Sequence, residues 1–121
     1  MKTARFIPFI HSLYLLAAGL WPVLHLRSFI IVTGDKTDVW LVHSVGLLSV
    51  ALGITFLFAF IKRQITEAMF VLAISTALGF AVIDFYYAFT GVISPVYVFD
   101  GVIQVLFICL YLFFGRKVNP A

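Results

Sequence analysis

The chain has 121 residues, of which 64% are hydrophobic and only 11% are charged. A soluble domain carries about 25% charged residues, so this composition excludes a water-facing globular surface and predicts one integral membrane domain. The net charge of +3 comes from short basic clusters between apolar runs, a pattern typical of membrane topology signals and not of a nucleic-acid partner. The single cysteine, Cys109, excludes an intrachain disulfide and a cysteine-based metal site.

The first apolar run extends from about residue 6 to residue 32, and Pro22 predicts a kink within it. Lys2 and Arg5 precede this run as they would in a signal peptide. However, the apolar stretch continues through Leu26 with no polar segment after it. We therefore expect a retained first transmembrane helix.

Three further apolar runs follow, at about residues 38–61, 67–89 and 95–114. A hydrocarbon core of about 30 Å needs roughly 20 apolar residues in a helix, and backbone groups in lipid must bond within their own segment. The short connections place consecutive helices antiparallel. The sequence therefore predicts an all-α fold, an integral membrane four-helix antiparallel bundle formed by residues 1–121 as one domain.

The connections carry residues that typically begin and end helices. Gly34 and Gly91 stand where a glycine would end the first and third helices. Thr37, Thr66 and Ser94 are the predicted N-caps of the three helices that follow. These residues set the predicted first and last residues of the helices.

The orientation follows from the basic residues, of which six fall on one predicted side of the membrane and two on the other. The six are Lys2, Arg5, Lys62, Arg63, Arg116 and Lys117, and the two are Arg27 and Lys36. Because cytoplasmic loops carry the excess of lysine and arginine, both termini are predicted to be cytoplasmic. The pattern favours a multi-pass protein of a bacterial inner membrane.

The two predicted hairpins align with each other at a shift of 57 residues. Residues 33–40 then match residues 90–97, with Thr, Gly and Val identical and Trp40 opposite Tyr97. This alignment predicts tandem helical hairpins related by a pseudo-two-fold axis along the membrane normal. The alternative is that two independent turns contain similar turn-forming residues.

Each predicted span supplies one ionisable residue about 9 Å from its helix end, at 1.5 Å per residue. The four residues are Arg27, His43, Asp84 and Asp100. Polar groups in membrane helices usually face the bundle interior, and small residues that share a stripe with His43 and Asp84 mark helix contacts. A separate histidine, His11, is expected to hydrogen-bond Tyr111, Thr55 or a backbone carbonyl.

Two interpretations of this polar layer remain open. Arg27 and Asp84 can form a structural clasp, with His43 hydrogen-bonded to Asp100, because ionic groups are often kept to fix helix order. Alternatively, the four groups form a ligand-binding or proton-handling site. The spacing does not support a metal site, and we predict no cofactor.

The leading functional hypothesis is a binding or accessory membrane protein with a pocket near the outer leaflet. Its candidate residues are Arg27, His43, Asp84, Asp100 and Gln104, with Trp40, Tyr87 and Tyr97 at the mouth. The pocket would take a lipid headgroup, a quinone or another small amphiphile. The lipid bilayer is the expected environment, and a homo-oligomer or larger membrane complex is the expected assembly.

Two alternatives belong to other classes. One is an oligomeric proton-coupled transporter or channel. The other is a membrane enzyme that acts on an amphiphile with Asp84 and His43 as an acid–base pair. The sequence contains no glycine-rich phosphate loop, nucleophile elbow or zinc-protease helix, so it assigns no catalytic residue and leans away from an enzyme.

The stretch Ala4-Arg5-Phe6 and the segment AAGLWPVLH at residues 17–25, with four predicted helices in 121 residues, carry a family resemblance. They are similar to small bacterial membrane proteins, and the chain resembles the DoxX-like group in size and topology. This resemblance implies a four-helix membrane bundle that serves as an accessory or redox-associated subunit. It assigns no functional residues.

Overall fold

The computed structural model describes residues 2–34 and 38–114, and this part of the chain is all-helical. The helices are α1 (Lys2–Leu24), α2 (Leu26–Thr33), α3 (Val39–Ile61), α4 (Glu67–Phe89) and α5 (Tyr97–Phe114). The predicted all-α class is confirmed.

Three helices in the described part of the chain are long and apolar enough to cross a membrane, judged by length and composition. These segments are Phe6–Leu24, Val39–Ile61 and Glu67–Phe89. The apolar part of α5, Tyr97–Phe113, is shorter. The chain therefore has the features of a membrane protein.

The first predicted helix is divided into α1 and α2 at His25, whose φ of −148° and ψ of 78° are not helical. The kink was predicted at Pro22, but the His25 N–H still bonds to the Trp21 carbonyl at 2.9 Å, which carries α1 on to Leu24. Ser28 then stabilises the break. Its hydroxyl accepts a hydrogen bond from the Trp21 indole at 2.9 Å and lies 2.6 Å from His25 Nδ1.

Of the predicted N-caps, Thr66 directly precedes α4, whereas Ser94 lies three residues before α5. The Thr66 hydroxyl accepts a hydrogen bond from the Met69 N–H at 3.2 Å, and the Ser94 hydroxyl accepts one from the Val96 N–H at 3.3 Å. Regular α5 nevertheless begins two residues later than predicted, because the chain after Ser94 first forms tighter turns. The third predicted cap, Thr37, lies outside the described residues.

The two interhelical turns with predicted glycines lie side by side. Gly34 has a φ of +97° and Gly91 a φ of +80°. Residues with a Cβ rarely adopt such positive φ values because the Cβ clashes with the backbone, so these positions favour glycine. A Cβ built on Gly34 would lie 3.6 Å from the Ser94 Cβ. The connection after α2 therefore starts beside the connection between α4 and α5, at one end of the molecule.

Helix pairing follows chain order, since α1 packs chiefly against α3 and α4 packs against α5, while α1 also contacts α5. Two glycines let α1 and α3 approach closely. A Cβ on Gly19 would lie 2.5 Å from the Gly46 carbonyl oxygen, and a Cβ on Gly46 would lie 2.6 Å from the Gly19 oxygen. The predicted helix contact on the small-residue stripe of α3 is thus confirmed.

All four long helices contribute to a hydrophobic core at the end opposite these turns. Its buried members are Ile7, Leu15, Phe56, Ala59, Met69, Ala73, Ala77, Phe107 and Tyr111. His11 is fully buried there, with Nδ1 2.9 Å from the Tyr111 hydroxyl and its ring 4.4 Å from that of Phe107. The expected hydrogen bond to Tyr111 is confirmed, and this end of the molecule is closely packed.

The reciprocal glycine contact predicts a position-specific effect on stability. We expect Gly46→Ala to lower the free energy of unfolding by about 1–3 kcal/mol, because the new methyl group would force the α1 and α3 backbones apart. In α4, a Cβ on Gly79 has no neighbour within 4 Å. Gly79→Ala should therefore raise stability by about 0.5–1 kcal/mol through its effect on the unfolded chain.

Unfolding of both variants in the same detergent micelles measures this difference. Equal effects of the two substitutions would show that α1 and α3 do not approach as closely as described.

Candidate functional site

A cavity of about 630 Å³ lies between the packed core and the turns. Small-molecule sites usually occupy about 300–1,000 Å³ and are mostly apolar with a few polar groups. All five helices contribute to its wall. The aromatic and polar side chains in that wall are Tyr14, Trp21, Phe29, Thr33, Ser49, Phe80, Asp84, Tyr97, Asp100 and Gln104.

Asp84 is the more deeply buried of the two acidic residues in the wall, with 4% of its surface exposed. It lies on one stripe of α4 with Ala77 and Ala81, which are also buried, as helical spacing requires. Its Oδ2 atom has no hydrogen-bond partner among the described residues. The stripe of small residues thus places a carboxylate in the interior without providing a donor for it.

Asp100 has two protein donors on one oxygen. The Tyr14 hydroxyl donates to its Oδ1, and the Gln104 amide donates to the same atom at 3.5 Å. Gln104 lies one helical turn after Asp100 and is only 2% exposed. Because a carboxylate only accepts, the amide nitrogen of Gln104 faces it, and the Gln104 Oε1 has no partner in the described part of the chain.

These polar groups lie below an apolar mouth. Asp100 and Gln104 follow Tyr97, the first residue of α5, by about 4.5 Å and about 10 Å along the helix, at 1.5 Å per residue. The wall nearer the turns is mostly apolar, with Phe29, Val32, Leu41, Ile93 and Val96, and it also contains Thr33 and Tyr97. A ligand that enters from the turns would pass these apolar side chains before it reached the carboxylates.

The structure separates Arg27 from the acidic residues. Arg27 is exposed on α2, whereas Phe29 and Val32 of the same helix line the cavity. Side chains two residues apart in a helix differ in direction by about 200°. Because Phe29 faces the cavity, Arg27 lies on the opposite face of α2. No ion pair joins Arg27 to Asp84 in residues 2–34 and 38–114, and the hypothesised clasp is not formed.

The other predicted site residues divide between the wall and the surface. Tyr97 lines the cavity together with Asp84, Asp100 and Gln104. His43 is half-buried but is not part of the wall, and its Nε2 has no partner among the described residues. Trp40 is 68% exposed and Tyr87 is also exposed, and both lie outside the wall. The layer of four ionisable residues thus contributes two carboxylates to the cavity.

Sequence reasoning did not assign Tyr14 to the site. It lies on α1 three residues after His11 and seven before Trp21, in a heptad-like stripe of polar and aromatic residues that was a usable signal. Its partner Asp100 is 86 residues away. Only the packing of α1 against α5 brings the two together.

Comparisons of the chain with protein-family models, with curated proteins and with solved structures find no significant match. The resemblance to the DoxX-like group stays a prediction.

The missing partner of Asp84 predicts that this residue lowers the stability of the protein. Burial of a polar group without a hydrogen bond costs about 1–3 kcal/mol. We expect Asp84→Leu to raise the free energy of unfolding by about that amount, because an apolar side chain suits the apolar wall.

His11→Ala is the comparison, since His11 bonds to Tyr111 through Nδ1, although its Nε2 also has no partner among the described residues. It should lower the free energy of unfolding by at least about 2 kcal/mol through the lost hydrogen bond and the space left behind. Denaturant unfolding in micelles compares the two variants. If Asp84→Leu destabilises as much as His11→Ala, then Asp84 has a structural role.

Proposed function

We propose that the chain is a multi-pass inner-membrane protein with four membrane spans and cytoplasmic termini, built from two helical hairpins. Large apolar side chains are exposed on every long helix, which suits contact with lipid and not with water. Examples are Leu13, Leu48, Val71 and Phe99. The adjacent turns at Gly34 and Ser94 support the placement of both hairpin tips on the outer side.

This topology predicts which residues can be labelled from outside the cell. Asp38 and Gln64 are both exposed and lie at opposite ends of α3. In a Cys109→Ala background, a membrane-impermeant maleimide should label Asp38→Cys in intact cells and Gln64→Cys only after permeabilisation. Labelling of Gln64→Cys in intact cells would contradict the proposed orientation.

We further propose that the protein binds a small amphiphile in the cavity. The apolar body of the ligand would contact aromatic and aliphatic side chains of the wall, and its polar part would reach Asp84, Asp100 and Gln104. One observation carries this proposal: Asp84 Oδ2 and Gln104 Oε1 are buried acceptors without partners among the described residues, in a mostly apolar cavity. Such groups reduce stability unless something binds them, so their presence favours recognition over packing.

The closed end of the molecule favours a binding pocket over a continuous channel. His11, Phe56 and Tyr111 are almost completely buried and fill the space between the cavity and the predicted cytoplasmic side. The position of His43 outside the cavity wall also gives no support to an acid–base pair with Asp84. A binding or accessory protein is therefore the function that we favour.

A pair of neighbouring alanines on α1 provides a test. Both alanines are exposed, but Ala18 lines the cavity whereas Ala17 is not part of the wall. Ala18→Phe should weaken binding of the uncharged fluorescent amphiphile N-phenyl-1-naphthylamine at least about tenfold, which is about 1.4 kcal/mol, because the added ring occupies ligand volume. Ala17→Phe should leave this affinity unchanged.

Fluorescence titration against protein-free micelles measures both affinities. Identical affinities for the two variants and the unmodified protein would place any bound probe outside the cavity and would refute the proposed site.

A further inference from the structure

We propose that the cavity selects amphiphiles with a positively charged, hydrogen-bond-donating head, namely an ammonium group on a compact apolar body. This inference rests on the proposed function and specifies the ligand class. It follows from three features of the cavity: its charged groups, its hydrogen-bonding groups and the position of its aromatic side chains.

The charged groups in the wall are all acidic in the part of the chain that the structure describes. Asp84 and Asp100 line the cavity, while no described lysine, arginine or histidine does. Arg27 lies on the opposite face of α2, and His43 lies outside the wall. Two acidic side chains in the wall of one low-dielectric cavity favour a cation over an anionic head such as a phosphate or a carboxylate.

The hydrogen-bonding groups of the cavity wall also favour a ligand that carries an ammonium group. The donors of Tyr14 and Gln104 already bond to Asp100 Oδ1. The buried atoms of the wall that have no partner in the described part of the chain, Asp84 Oδ2 and Gln104 Oε1, are acceptors. A primary ammonium offers three N–H donors, whereas a quinone offers only acceptors and would leave these atoms unpaired.

The aromatic side chains provide a path for such a head. Trp21 and Phe29 meet edge to face in the wall, with ring centroids 5.4 Å apart. Aromatic faces attract ammonium groups through cation–π interactions. The apolar mouth then surrounds the tail, so the ligand lies with its charged head deepest, and a compact amine fits the 630 Å³ available.

Trp21 also provides the readout. The chain has two tryptophans, and Trp40 is exposed outside the wall. In a Trp40→Phe background in neutral maltoside micelles, Trp21 fluorescence reports binding of octylamine, octanol and octanoate. These probes share a chain length and differ in the charge of the head, and titration of protein-free micelles corrects for partition.

We expect octylammonium to bind at least about tenfold more tightly than octanol, and octanoate to bind more weakly than either. Asp84→Asn should lower the octylammonium affinity about tenfold, the effect typical of one charged hydrogen bond, and lower the octanol affinity by less. Asp38→Asn, at an exposed acidic residue outside the wall, should change neither. Retained octanol binding shows that the Asp84 variant is folded.

Two other outcomes overturn separate parts of the argument. Equal affinity for octylamine and octanol, unchanged by Asp84→Asn, would refute the selectivity for a cation while the cavity still binds amphiphiles. Binding of no probe, with Ala18→Phe also without effect on Trp21 fluorescence, would refute the proposed site itself.

A competition experiment identifies the source of the ammonium group. Displacement of octylamine by dihexanoylphosphatidylethanolamine, but not by dihexanoylphosphatidylglycerol, would assign the ligand to a membrane lipid that carries an ammonium. Displacement by free amines alone would support a diffusible amine and agree with the deep position of the carboxylates.

Discussion

The structure depends on one constraint: two carboxylates share a mostly apolar cavity, and no described basic side chain reaches them. Asp100 is held by Tyr14 and Gln104, whereas Asp84 Oδ2 has no partner in the described residues. Buried ionisable groups in membrane helices are usually paired or functional. Since Arg27 faces away from the cavity, pairing within the protein does not explain Asp84, and a ligand becomes the natural partner.

The rest of the fold explains why this space exists. The contact between Gly19 and Gly46 brings the α1 and α3 backbones together, and the core around His11 closes the opposite end. Near the turns, the break at His25 redirects the chain and places the Phe29 face of α2 against the cavity. Close packing in one half and a changed helix direction in the other leave a pocket between the two hairpins.

Much of the helical framework could be predicted from sequence, because it depends on local signals. Apolar length predicts the three helices that are long enough to cross a membrane, Thr66 caps α4, and the alanine stripe below Asp84 indicates its inward face. The site was predicted less well, because a single residue-counting argument placed four ionisable groups at one depth. That argument assumed a continuous first helix, and the break at His25 turns Arg27 outward. The Tyr14–Asp100 hydrogen bond spans 86 residues and depends on tertiary packing, which no local pattern records.

An experimental structure of the protein crystallised from a lipidic mesophase with octylamine would test the central claim most directly. Our account predicts an open cavity between the hairpins, with the amine nitrogen within hydrogen-bonding distance of Asp84 and Gln104, and with Arg27 on the outer face of α2. A closed interior in which the Arg27 guanidinium pairs with Asp84 would contradict it.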